Sequence, residues 1–78
     1  MIKELYMYFI LETQVDANGV GAVLPAQTRD NRNEAESVYH SILATAAVSN
    51  VAYHGAIILD ENCYPVMHNS YEHIEEEE

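Results

Sequence analysis

The sequence predicts an α+β fold: ββαββ, a four-stranded, mainly antiparallel sheet with one helix on one face. Three observations carry this. Residues 33–50, NEAESVYHSILATAAVSN, hold the only sustained helical periodicity of apolar residues. Extended apolar segments flank that stretch on both sides. The two segments before it are joined by Asp16-Ala17-Asn18-Gly19, a strong hairpin signal because Asn and Gly accept positive φ at little cost. Two hairpins joined by one helix satisfy all three.

The first strand is expected over residues 5–15. Leu5, Met7, Phe9 and Leu11 alternate onto one face, and Tyr6, Tyr8, Ile10 and Glu12 onto the other. Apolar residues on both faces suggest a strand covered twice. The return strand is expected over residues 20–28. Gly21 and Pro25 within it argue for an edge or an interrupted strand, since proline cannot donate to a ladder.

Residues 29–32 lead into the helix, which Asn31 or Asn33 is placed to cap. Ala35, Val38, Tyr39, Ile42 and Ala46 form its apolar stripe, widened by Leu43, Ala47 and Val48. Ser49-Asn50 closes the helix, with Asn suited to a left-handed cap. The third strand is expected over residues 51–59, with Tyr53, Gly55, Ile57 and Leu59 on one face and His54, Ala56 and Ile58 on the other. Asp60-Glu61-Asn62 turns the chain into a fourth strand over residues 63–68, an edge strand because of Pro65 and broken at Asn69-Ser70. Residues 1–74 are expected to make one domain, and Glu75–Glu78 an acidic tail.

Charge narrows the function. Thirteen acids against Lys3, Arg29 and Arg32 give a formal net charge of −10. That excludes a broad basic face for duplex nucleic acid. No apolar run is long enough to span a bilayer, and the first residues read as a strand, not a signal peptide, so a cytoplasmic protein is expected. Cys63 is the only cysteine, so no intrachain disulfide forms. A chain this small has a thin stability margin, and one helix leaves one sheet face bare. A homo-oligomer, most simply a dimer, is the expected reinforcement.

Catalytic patterns are missing. There is no Gly-x-Ser-x-Gly elbow and no Gly-rich phosphate loop. The acids ahead of Cys63 would raise its thiol pKa. His40, His54, His68 and His73 show no metal-ligand spacing; His68, Glu72, His73 and Cys63 meet only if the last strand folds back. A non-enzymatic protein without cofactor or metal is expected.

One constellation suggests a ligand. Arg29 and Arg32 stand at the start of the helix beside Thr28 and Asn33. Helix N-termini and guanidinium groups both suit phosphates. Tyr6, Tyr8, Tyr39 and Tyr53 are candidate stacking faces for a base. Two readings stay open: a small phosphorylated ligand, or arginines paired with Asp30 and Glu34 and tyrosines packed in the sheet.

The segments YFILETQVDANGVGAVL, NEAESVYHSILATAAVSN and HGAIILDENCYP resemble a group of short proteins encoded by phages and prophages of gut Firmicutes, over residues 6–60. The shared motifs are structural and carry no catalytic set. The resemblance implies a small phage accessory or counter-defence protein in the host cytoplasm. Its first implied role is sequestering a nucleotide-type immune signal, such as a cyclic oligonucleotide. The alternatives are an acidic, anti-CRISPR-like inhibitor that binds a host defence protein, or a structural phage component with no small ligand.

Overall fold

A computed structural model describes residues 6–74. The elements run β1 (Tyr8–Val15), β2 (Gly21–Val23), β3 (Gln27–Arg29), α1 (Arg32–Val48), β4 (Tyr53–Leu59) and β5 (Pro65–Glu72). They form an α+β fold with one antiparallel sheet in the order β2-β1-β4-β5. The expected return strand is split in two. β2 pairs with the end of β1 (Thr13 with Val23) and β3 with its start (Phe9 with Thr28), both along the same edge. Pro25, which has no N–H to donate, lies in the gap between them. The sheet therefore has five strands where four were expected, arranged as four rows.

Other boundaries differ from the sequence reading: β4 starts at Tyr53 where residue 51 was expected, and β5 at Pro65 where residue 63 was expected. β5 runs unbroken through Asn69-Ser70, because both residues pair with β4, opposite Ala56 and Gly55. β1 starts at Tyr8, so Tyr6 and Met7 precede it. Leu5 and Glu75–Glu78 lie outside the described residues.

The register sorts the side chains. Ile10 sits opposite Ile58, Glu12 opposite Ala56 and Gln14 opposite His54, all on the face that α1 covers. Ile10 and Ile58 are fully buried there with Ala35, Tyr39, Ile42, Leu43 and Ala56. Burying each isoleucine contributes about 1.5–3 kcal/mol. The opposite face carries Phe9, Leu11, Ile57 and Leu59 as two adjacent cross-strand pairs. All four are half-buried, with no element laid over them among the described residues. Gly55 separates this patch from Tyr53 and Val15. A Cβ on Gly55 would come within 2.7 Å of Asn69 O and Ser70 Cβ, so the close pairing of β4 and β5 depends on glycine there. No helix among the described residues is long and apolar enough to cross a membrane.

The two hairpin loops are built alike. Asp16 Oδ1 accepts from Asn18 N and Val20 N, each at 2.9 Å, and Asp60 Oδ1 accepts from Asn62 N (2.8 Å) and Tyr64 N (2.9 Å). In each loop the fourth residue is left-handed, Gly19 at φ 83 and Cys63 at φ 66. Glycine adopts that conformation freely, whereas a cysteine does so at a cost of about 1–2 kcal/mol. Cys63→Gly is therefore expected to stabilise the fold by about 0.5–1 kcal/mol and Gly19→Ala to destabilise it by about 1 kcal/mol. Urea denaturation of the two variants reads this directly; a less stable C63G would show that loop strain is not what the cysteine adds.

Candidate functional site

The corner at the start of α1 is where a phosphate site was expected. Asn31, in an extended conformation, is the cap, and its Oδ1 accepts from Asn33 N (2.8 Å) and Glu34 N (3.2 Å). Its carbonyl accepts from Ala35 N at 3.0 Å. The cap thus occupies donors that an incoming phosphate would need. Arg32 Nε lies 2.9 Å from Glu36 Oε2, an i,i+4 ion pair on the exposed helix surface. The carboxylate that pairs with it is therefore Glu36, not Asp30 or Glu34. Arg29 is different. Its Nη1 donates to its neighbour Thr28 O at 2.7 Å, and no carboxylate pairs with it among the described residues.

The expected tyrosines do not converge on this corner. Tyr8 lies opposite Arg29 in the sheet, and exposed Tyr6 precedes it. Tyr39 is a core residue, 3% exposed, with its ring edge-on to His40. Burial, helped by the nearby Tyr71, raises its phenol above the ordinary value. A ring enclosed this way cannot stack on a ligand, so Tyr39 is corrected from a binding residue to a packing one. Tyr53 pairs with Val15 at the other end of β1. Seven residues of strand separate Val15 from Tyr8, about 23 Å, which removes Tyr53 from the Arg29 corner. Thr28 and Asn33 are exposed beside the arginines, as expected.

The end of α1 holds a constellation that the sequence reading missed. His54 is 3% exposed and bonded on both ring nitrogens. Its Nε2 lies 2.5 Å from Glu12 Oε2 and its Nδ1 2.9 Å from Ser49 Oγ. A carboxylate oxygen accepts, so Nε2 donates to Glu12, while Nδ1 accepts from the Ser49 hydroxyl in the neutral ring and donates to it in the charged one. Gln14 Nε2 leans on the same carboxylate oxygen at 3.5 Å. Ser49 is the helix C-cap, with φ −78 and ψ 166, so the extended cap here replaces the left-handed asparagine expected at Asn50. Nearby, His73 Nε2 donates to Ala46 O at 2.8 Å. The last turn of α1 contains no basic residue. Two histidines brought by the sheet serve its C-terminal end instead.

Serine, histidine and glutamate also make up hydrolytic triads. Here the serine stands at the negative end of the helix dipole, and its own N–H is spent on Ala46 O at 3.3 Å. Both features oppose a developing oxyanion. The arrangement works chemically as a clamp that ties β1, β4 and α1 together. The sequence held one signal for it: Glu12 and His54 both alternate onto faces that are otherwise apolar, and two polar groups facing one core need each other.

Ser49 and His73 also line a cleft of about 900 Å³, together with Asp16, Asn50 and Tyr53. Among the described residues no group of three His, Cys, Asp or Glu side chains is placed to hold a metal ion. No family model matches the chain, and no curated protein or solved structure matches it significantly.

The clamp makes a ranked prediction. His54→Leu leaves the largely buried Glu12 carboxylate without its partner and is expected to cost about 2–4 kcal/mol. Ser49→Ala loses one neutral bond and is expected to cost about 1 kcal/mol. Chemical denaturation of both variants checks the order; a His54→Leu protein as stable as the parent would show that the network does not hold the fold.

Proposed function

We propose that this protein is a non-enzymatic binding module that acts as a homo-oligomer, in its simplest form a dimer joined through the bare face of the sheet. The supporting observation is the charge pattern of that face. Of the side chains that β1, β4 and β5 alternate onto it, only Glu72 is acidic, although the chain carries thirteen acids. A protein of net charge −10 repels its own copies at most orientations. The Phe9, Leu11, Ile57 and Leu59 patch is where two copies can approach without that penalty and remove apolar surface from water. The expected result is a solution mass twice the 8.8 kDa of one chain by light scattering at micromolar concentration. Leu11→Glu should reduce it to a single-chain mass with the circular dichroism retained. A parent protein that runs as a monomer would reject this reading.

A second reading concerns what the oligomer binds, and one observation favours it: the Arg29 guanidinium, without a carboxylate partner among the described residues, beside Tyr8 and Thr28. On this reading the corner holds a phosphate of a nucleotide-type immune signal, which the protein sequesters. The resemblance to phage accessory proteins supplies the setting, counter-defence in a bacterial cytoplasm. Cyclic di- and trinucleotides should then raise the melting temperature, and Arg29→Ala should abolish the rise while leaving the unliganded melting temperature in place. A flat response across such a panel would retire this reading without touching the dimer. It would turn attention to a host protein bound by the acidic surface.

A further inference from the structure

The cleft at the end of α1 lies at the opposite end of β1 and β4 from both the Arg29 corner and the Phe9–Leu59 patch. We propose that it binds an organic ammonium group, carried by a free aliphatic diamine or by a lysine side chain.

The charged and ring groups that line it, Asp16 and His73, offer acceptors beside the amide of Asn50 and the hydroxyl of Ser49. Asp16 uses Oδ1 for two backbone N–H groups, and Oδ2 makes no bond among the described residues. His73 donates through Nε2 to Ala46 O, which makes Nδ1 of the neutral ring an acceptor. The C-terminal end of α1 adds the negative pole of its dipole, with His73 on Ala46 O as its donor and no basic residue in the last turn. No lysine or arginine lines the cleft among the described residues. Tyr53, 42% exposed, adds an aromatic ring to the same wall. Aromatic faces attract cations.

A cleft of about 900 Å³ is within the size range of small-molecule sites. An anion would meet the carboxylate, the helix end and the net charge of −10 together. A neutral polar molecule would leave the charged acceptor unused. An ammonium group, with three donors and no acceptor, is the complement of this lining. Its alkyl stem would lie along Val15 and Ala52. The inference is independent of what the Arg29 corner binds, because the two places share no residue.

The test is an NMR titration of the whole chain with cadaverine, with pentanediol as the neutral isostere and sodium chloride at matched ionic strength. Saturable shifts are expected for the amides of residues 16–19 and 49–53 with cadaverine alone. Asp16→Asn keeps the Oδ1 acceptor that the loop needs and removes the charge, so it should weaken binding about fivefold with the spectrum still dispersed. Tyr53→Leu should weaken it about threefold. Blocked lysine identifies the source. Binding as tight as cadaverine's marks a protein side chain as the occupant, and binding to cadaverine alone marks a free amine; either result supports the site. Equal shifts with pentanediol or salt, or parent-like affinity in both variants, would overturn it.

Discussion

One helix cannot cover two sheet faces, and the rest of this structure follows from that constraint. α1 has 17 residues, about 26 Å of helix, and the eight residues of β1 span about the same length. The match lets one helix close one face from end to end. Ile10 and Ile58 meet under its middle, and small residues, Ala35 and Ala46, let it sit close to the strands. The same match exhausts the helical material. Among the described residues, no element is laid over Phe9, Leu11, Ile57 and Leu59. Both the core and the bare patch are consequences of one count of residues.

The two ends of the helix are finished by different means. At the start, Asn31 satisfies the first donors locally, from the residue next to the helix. At the end, Ser49 caps through its hydroxyl but has only one proton to give. The hydroxyl lies 3.3 Å from Ala46 O and 2.9 Å from His54 Nδ1, and His73 Nε2 donates to the same Ala46 carbonyl at 2.8 Å. Both histidines arrive from the sheet side, so the bonds that finish the helix reach across to β4 and to the segment after β5. Glu12 completes the chain of bonds from the neighbouring strand. Polar groups inside a small core are stabilising only when every one is partnered, and no buried side-chain nitrogen or oxygen is left unpaired among the described residues.

Local signals were legible in the sequence and distant pairings were not. The Asn-Gly turn, the interruption at Pro25 and the apolar stripe of the helix each depend on residues within a few positions of one another. The Glu12–His54–Ser49 clamp joins residues 42 and five positions apart, and the alternation that places Glu12 and His54 on apolar faces does not say which partner each meets. The second hairpin loop shows the same limit from another side. Its aspartate and asparagine match those of the first, but Cys63 stands where Gly19 does, and nothing about cysteine announces a left-handed residue. Continuity of β5 through Asn69-Ser70 was hidden for a related reason: poor strand formers are carried by their pairing with β4. At the start of the helix, sequence proximity places Thr28, Arg29, Arg32 and Asn33 at one corner. It had no means of knowing that Tyr39 points into the core or that Tyr53 belongs to the far end of the sheet.

The distribution of charge links the fold to what the surface can do. Acids outnumber bases thirteen to three, yet the bare sheet face is almost free of them and the Arg29 corner retains an unpaired guanidinium among the described residues. An evenly acidic protein would be soluble and little else. Here the acidity is interrupted in two places, by the apolar sheet face and by the Arg29 guanidinium. It is reinforced in a third, the cleft where Asp16 and the end of α1 meet. Each place lies in a different part of one sheet, with the patch and the corner near the start of β1 and the cleft at its end.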